Sequence, residues 1–508
     1  MKKLFVALCI LTLVAMVAWK LTEGTRESRS REQLLLQSSD ARKFDRTLTI
    51  LGDGWLGYMI FRSRSFQDEL AKHNLGIQYQ HENDFKKRFQ ALRNGQADLA
   101  LATIDSYLLN GKSSNYPGVL TFLIDESFGG DALIGGPGIQ SLDDLRKENL
   151  KGAFVGYSPS EFLIKSQVSL FQINQLQPRL NQFRVDDDKT AFKKLQSGQA
   201  DFAVLWEPHV SNALQQIKGT SRIIDTAKAK NLIIDVAIAS RQLAAKEPDT
   251  LAKLTQAYFT ALNQLLSDRD LLLQLAIADS GENQEQAARM LAGIRFTNYQ
   301  TNLTDWFPID NPSTARLAPS IQSIGNILTD LGDLTTLPDT PTILNSQTLA
   351  TLRQNPATHQ TLSEGPAQVT PATFFTPLPA DQWQTLAAKA TGTLLEQPVT
   401  FPPGSANIPD EFQEQLKAAT QKLIHYPYHR LLIQAHVSPG TDPQTDLTLS
   451  QQRADTIRDF LINNNQLPPN RIHALGLGAT QTPERKTGES PRAWKRRCRR
   501  ALILLATD

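Results

Sequence analysis

The sequence predicts an α/β protein: a two-lobed unit, a Pro/Thr-rich connection and a small βαβαβ domain, all behind an N-terminal membrane helix. Three observations carry this expectation. From Thr47 to about Pro308, short apolar runs alternate with helix-period segments, the pattern of largely parallel sheets flanked by helices. A second such alternation begins near Pro398 and runs to the end. Within the first, one phrase is written twice, as LRNGQADLALA from Leu92 and LQSGQADFAVL from Leu195.

Length and composition agree with several folded units. A chain of 508 residues is too long for one hydrophobic core. A net charge of +2 with 40% apolar residues describes ordinary globular domains and speaks against a nucleic-acid binder or a disordered tail. Cys9 lies in the hydrophobic N-terminal segment and Cys498 near the far end, so no disulfide is expected between them.

The N-terminus predicts location. Lys2 and Lys3 precede the apolar run LFVALCILTLVAMVAW (Leu4–Trp19), and Lys20 follows it. As a helix the run spans roughly 24 Å against a hydrocarbon core of about 30 Å, and Trp19 with the flanking lysines can snorkel across the difference. MVAWKLTEG offers no clean A-x-A site, so residues 1–22 read as a retained anchor in preference to a cleaved signal. The positive-inside rule then sends everything after Lys20 out of the cytoplasm, behind a single-pass tether. No Asp or Glu interrupts the run, which makes it a tether and not an ion path. Residues 23–44 are a polar juxtamembrane spacer.

The elements of residues 45–310 follow in order. TLTILG (47–52) reads as a strand, FQDELAKHN (66–74) as a helix and GIQYQ (76–80) as a strand. FKKRFQALRNG (85–95) is an amphipathic helix ended by Gly95, and ADLALA, VLTFLI and ALIG are strands. GAFVGY (152–157), a helix from Pro159, QFRV (182–185), a helix stopped at Gly198 and ADFAVLW continue the alternation. Helices dominate from Asp249 to Gly293. Residues 311–395 are dense in Pro, Thr, Ser and Gln around one helical stretch, ARLAPSIQSIGNILTDLG, and read as a semi-extended linker with one docked helix. Residues 396–508 form the last domain.

The twinned phrase has a physical reading. In each copy an amphipathic helix reaches a glycine, which takes the left-handed C-cap conformation without a side-chain cost. An Asp then opens an apolar strand: Asp98 before LALA, Asp201 before FAVLW. Matching helix-to-strand junctions point to two similar lobes.

The surrounding residues give these lobes a family. GQAD with Ala102-Thr103, IDESFGGDALIG (124–135), SLDDLRKENLKG (141–152), SGQADFAVLWEPHV (197–210) and IIDVAIAS (233–240) appear in an order that resembles type-II periplasmic substrate-binding proteins. The resemblance is to the nitrate/sulfonate/taurine class, which includes thiamine-precursor binders, and covers about 45–305. It implies two hinged lobes with a ligand in the cleft, seated on loops and helix N-termini. The matching positions are Asp53-Gly54-Trp55, Thr103-Ile104-Asp105, Gly129-Gly130-Asp131, Tyr157-Ser158-Ser160 and Trp206-Glu207. Plainer roles stand beside each: helix N-caps for Ser158 and Ser160, lobe packing for Trp55 and Trp206, turns for Asp53, Asp105 and Asp131. The three aspartates, Asp53, Asp105 and Asp131, near the expected cleft argue against a simple anion as ligand.

The C-terminal domain carries F-x-x-G-S-A-x-I (401–408), Leu449-Ser450-x-x-Arg453-Ala454, Arg471-Ile472 with Gly476-Leu477-Gly478, and Arg499-Arg500. These resemble the OmpA-like peptidoglycan-associating domain over about 398–506. The family grips the diaminopimelate of the wall peptide with the Asp of a G-H-T-D turn and the Arg of L-S-x-x-R-A, a carboxylate for the ammonium and a guanidinium for the carboxylate. Here the turn reads Ala435-His436-Val437-Ser438, so Ser438 replaces the Asp. Asp446 and Cys498 replace two usual asparagines, while Arg453 is kept. The resemblance therefore implies a peptidoglycan site at Ser438, Arg453 and Arg499 whose acidic pole is either missing or moved to Asp442 or Asp446; a buried structural role is the alternative for Arg453.

Other signals are weaker. His425 and His429 have i,i+4 spacing, but Pro427 breaks the helix that would align them, so surface histidines are expected and no metal. KRRCRR (495–500) reads as a solvated face of the last strand together with the family's arginines. No nucleophile elbow, P-loop, H-E-x-x-H or Cys-pair motif is present, so neither an enzyme nor a cofactor is expected. The expectation is a membrane-anchored, wall-associated solute-binding protein for transport or sensing, with peptidoglycan, a small polar ligand and an envelope complex or ABC permease as partners. The alternative is a scaffold whose lobed domain docks a protein.

Overall fold

The computed structural model describes residues 44–366, 375–388, 390–440, 442–465 and 467–507. The expected membrane helix and nearly all of the spacer fall outside them; among the described residues no helix is long and apolar enough to cross a membrane.

Strands β1 (Arg46–Gly52), β2 (Leu75–His81), β3 (Leu99–Thr103) and β4 (Gly118–Ser127) begin the first lobe. The chain crosses at 128–130 into the second lobe, which holds β5 (Asp131–Gly135), β6 (Gly152–Val155), β7 (Arg184–Val185), β8 (Phe202–Trp206) and β9 (Ser221–Asp225). It returns into β10 (Ile234–Ser240) and β11 (Ile294–Phe296), completing a six-stranded sheet in the order β11-β4-β10-β3-β1-β2. The second sheet runs β7-β6-β8-β5-β9. In β3, β4 and β10 every residue is buried, which is why these strands read as continuous apolar runs without alternation.

The twin junctions are built alike. Gly95 and Gly198 each have φ +70°. Past each glycine, the Asp grips the start of the neighbouring parallel strand through both backbone and side chain. Asp98 N–H donates to Thr49 O at 2.8 Å and its carboxylate accepts from Thr49 N–H at 2.8 Å. Asp201 N–H donates to Lys151 O at 2.7 Å and its carboxylate accepts from Lys151 N–H at 2.7 Å. The repeated Asp is the pin that sets strand register in each lobe.

Two strand connections join the lobes. At the first, Phe128 N–H donates to Gly293 O (2.8 Å) and Gly129 N–H to Thr226 Oγ1 (2.8 Å). Gly129 has φ +90°, and a side chain on Gly130 would stand 2.8 Å from Gly293 O, so both glycines are required where the chain turns between lobes.

The segment after 310 differs from a semi-extended linker. It forms helices Leu317–Asp330, Gln347–Gln354, Pro356–Ser363 and Ala380–Ala388. Leu317, Ile321, Ile324 and Leu328 recur at helical spacing and are fully or nearly fully buried. Helix Leu317–Asp330 packs on Ile104–Gly111 of the first lobe and Pro159–Leu170 of the second. Lys165 Nζ of the second lobe pairs with Asp333 (2.8 Å), and Ser169 Oγ donates to Asp330 (3.2 Å). The segment is thus a strap across both lobes.

The C-terminal domain has β12 (Gly392–Thr393), β13 (Val399–Thr400), β14 (His429–Ala435), β15 (Ile472–Gly476) and β16 (Arg500–Thr507), ordered β12-β16-β14-β15 with β13 also on β16. Asp410–Gln421 and Pro443–Asn465 are its long helices. KRRCRR does not lie on the last strand. Ser490 caps a helix, Pro491–Cys498, by accepting from Ala493 N–H, and only Arg500 enters β16. The domain docks on the second lobe: Tyr426 OH donates to Gln167 Oε1 (2.7 Å) and Thr393 Oγ1 to Asp143 (2.7 Å). His425 Nε2 meets Ser323 Oγ of the strap at 2.6 Å, and the His425 carbonyl accepts from Lys230 N–H. His425 and His429 are therefore buried, against the expectation of surface histidines, because the turn around Pro427 tucks into this interface. Burial pushes His425 down to about 4, so it is neutral there.

Candidate functional site

The strand ends of both lobes converge on an acidic cleft. On the first lobe, Asp53 ends the loop after β1: its carboxylate accepts from Trp55 N–H (2.9 Å) and pairs with the buried Arg88 (3.1 Å). Arg62 fixes the same loop by donating to the carbonyls of Asp53 (3.1 Å) and Trp55 (3.0 Å). Gly54 is exposed beside them. After β3, Thr103 Oγ1 donates to Ser106 Oγ at 2.8 Å, and Ser106 Oγ donates to one oxygen of Asp105 at 3.3 Å. The other oxygen, Asp105 Oδ1, is buried with no hydrogen-bond partner among the described residues.

On the second lobe, Asp131 opens β5 and accepts from Ser127 Oγ at 2.6 Å. Asp105 and Asp131 come from different lobes, yet the charge of Asp105 raises Asp131 across the cleft. Burial, the larger cause, pushes both up to about 7. Ser158 is the N-cap of Pro159–Leu170, accepting from Ser160 N–H. Ser160 Oγ is buried with no hydrogen-bond partner among the described residues. Tyr157 has φ +57° and stands 51% exposed at the mouth, with Arg184 4.2 Å and Lys86 of the first lobe 5.5 Å from its ring centre.

The remaining predicted residues serve the frame. Trp206 pairs with Asp131 in the β5–β8 register. Glu207 folds onto its own helix, accepting from Ser211 N–H (3.2 Å) and Ser211 Oγ (2.8 Å). Gly130 packs against Gly293.

Four residues of the cleft floor escaped the sequence reading: Tyr58, Arg88, Asp125 and Asp235. Asp125 of β4 and Asp235 of β10 are directly opposed in register and fully buried within hydrogen-bond reach of one another. Tyr58 OH donates to Asp235, and Trp55 Nε1 donates to Asp125 at 3.4 Å. Burial and mutual repulsion raise Asp235 far above the carboxylate range, so the pair keeps a proton. A signal existed: TFLID and IIDVAIA each lead an apolar run into a buried Asp, a costly choice without a purpose.

In the C-terminal domain, Arg453 is fully buried and donates to three backbone carbonyls: Ser405 (2.9 Å), His436 (3.1 Å) and Pro402 (3.0 Å). Arg499 donates to Phe401 O at 3.2 Å. Asp446 accepts from Gly440 N–H (2.9 Å), bracing the turn that follows half-buried Ser438. Asp442 is exposed and caps helix Pro443–Asn465 through Gln444 N–H (3.2 Å) and Thr445 N–H (3.0 Å). Among the described residues no cluster of His, Cys, Asp and Glu is arranged to hold a metal.

The two regions match two families. Residues 70–270 match the model described as NMT1/THI5 like, and residues 400–496 match the OmpA family. The chain thus joins a binding-protein-like region to an OmpA-like domain. Among solved structures, the periplasmic aliphatic sulphonate binding protein SsuA from Escherichia coli is similar at 15% identity and TM-score 0.47, covering 66% of this chain and 97% of its own. The ligand-binding component of an ABC-type import system from Staphylococcus aureus is similar at 12% and 0.44, covering 60% and 98%. The peptidoglycan-associated lipoprotein from Burkholderia pseudomallei is similar at 24% and 0.19, covering 22% and 90%. No curated protein matches the sequence.

Proposed function

We propose that the protein is a solute-binding component held in the cell envelope: residues 1–22 anchor it in the inner membrane, the two-lobed region binds a small polar ligand, and the OmpA-like domain associates with peptidoglycan. One observation carries the binding reading. Asp105 Oδ1 and Ser160 Oγ, from opposite lobes, are buried with no hydrogen-bond partner among the described residues, a cost that a ligand's polar groups would relieve. The NMT1/THI5-like and OmpA matches support a binding protein in preference to an enzyme. A chain tied at both ends suits sensing, or feeding a fixed permease, better than free diffusion with cargo. Thermal-shift screening of the full chain in detergent against polar metabolites tests ligand binding, and absence of any stabilising compound sinks it. Co-sedimentation with purified peptidoglycan tests the wall contact; a wild-type chain that stays in the supernatant shows that Ser438 in place of Asp has abolished it.

A second reading, a scaffold that docks an envelope protein, is favoured by the strap. Helix Leu317–Asp330 and the Lys165–Asp333 pair tie the lobes together, which opposes wide opening of a cleft. In that case ligands produce no stabilisation while an envelope partner is retained on the lobes.

A further inference from the structure

We infer that the cleft takes a compact organic cation, an ammonium- or amidinium-bearing molecule, held between Asp105 of the first lobe and Asp131 of the second. This rests on the binding reading above and names its ligand class. The observations are the charges that face the cleft and the way the nearby cations are used. Asp53, Asp105, Asp125 and Asp235 come from the first lobe, Asp131 and Asp188 from the second, and several feel one another's charge. Arg88 is taken up by Asp53 and by the carbonyls of Glu82 and Leu101. Arg62 is taken up by Asp279, and His209 by Asp188 at 2.7 Å. Among the described residues no Lys, Arg or His forms an ion pair with Asp105, Asp125, Asp131 or Asp235.

Closing two lobes on facing carboxyl groups is unfavourable unless a proton or a cation lies between them. The Asp125–Asp235 pair already shares its proton and has Tyr58 and Trp55 as donors. Asp105 has hydroxyl and backbone N–H donors at its helix start and Asp131 has the Ser127 hydroxyl, and neither has a cation among the described residues. The unpartnered Asp105 Oδ1 is thus an acceptor for a ligand N–H, and Ser160 Oγ supplies a further acceptor from the opposite lobe. A charged N–H donor meeting a buried carboxylate makes the stronger class of hydrogen bond, which supplies affinity and draws the lobes together. The cations at the mouth are engaged outside this pair: Arg184 is paired with Glu161, and Lys86 lies over the Tyr157 ring.

The test is thermal shift of the full chain in detergent at pH 7.5, with putrescine, agmatine, spermidine and choline set against taurine, ethanesulfonate and nitrate. A binding cation at about a hundredfold excess over its Kd should raise the melting temperature by about 5 °C. Asp105→Asn and Asp131→Asn, each first shown to melt cooperatively without ligand, should weaken that cation by about tenfold or more. Stabilisation by the anions alone overturns the cation assignment and leaves the binding reading standing. Equal stabilisation of wild type and both variants by a cation overturns the placement between Asp105 and Asp131. No shift with any probe of either charge overturns this inference together with the reading on which it rests.

Discussion

The two G-Q-A-D junctions are alike up to the end of their strands and differ beyond it. Gly95 and Gly198 share φ +70°, and Asp98 and Asp201 pin the adjacent strand with paired hydrogen bonds of nearly equal length. After the first copy, Thr103-Ile104-Asp105 opens a helix and leaves a carboxylate oxygen unpartnered at the cleft. After the second, Trp206-Glu207-Pro208 turns the acid back onto Ser211 of its own helix. A junction that sets register tolerates little variation, whereas the residues following it are free to diverge. One acid therefore keeps a buried oxygen without a partner among the described residues, and the other is consumed in holding the lobe.

The largest effect that sharpens this contrast is on pH. Asp105 and Asp131 hold their protons to about pH 7 in the folded protein, while the unfolded chain releases them near 3.8. Between those values the folded state binds more protons, so stability is greatest at the acid end and is lost as pH rises through 7. Each such group contributes roughly 1.4 kcal/mol per pH unit across the window. Denaturant unfolding from pH 5 to 8 should show this decline, and Asp105→Asn should flatten it; an unchanged slope in that variant would refute the assignment.

The pins come next. Asp98→Ala loses the Thr49 contact and also removes one of the two carboxylates paired with Arg46, and should cost about 2 kcal/mol. Asp201→Ala loses only the Lys151 contact and should cost about 1 kcal/mol. Equal losses in urea titrations would show that Arg46 adds nothing to the first junction. Gly95→Ala and Gly198→Ala should each cost about 1 kcal/mol for the left-handed backbone, and by similar amounts because neither site is sterically crowded. Smallest is Glu207→Gln, which keeps an acceptor for Ser211 and should change stability by about 0.5 kcal/mol with no effect on cation affinity. A large affinity loss there would place Glu207 in the cleft after all.

Much of the fold was legible because it rests on local rules. Short apolar runs and period-3.6 patterns located many of the strands and helices of both lobes, and Gly95 and Gly198 marked their junctions. Residues 311–366 were harder. The helix at Leu317–Asp330 was legible from its apolar spacing, but Gln347–Gln354 and Pro356–Ser363 lie in Pro-, Thr- and Gln-rich sequence and gain their helical form packed on helix Pro248–Ser267. The burial of His425 and His429 was invisible for a similar reason, since it depends on a domain interface. Asp105 and Asp131 were visible as motif positions, but the Asp125–Asp235 pair needed the β4–β10 register, which no single strand reveals. Arg453 was recognisable by its motif, yet its three carbonyl partners come from segments distant in sequence.

The central claim is that a cation sits between Asp105 and Asp131. Titration calorimetry of the full chain with putrescine at pH 7, in two buffers of different ionisation heat, addresses it directly. An ammonium between these carboxyls pulls their pKa values down, so binding should release protons to the buffer. Putrescine binding without proton release, or with proton uptake, would contradict the account.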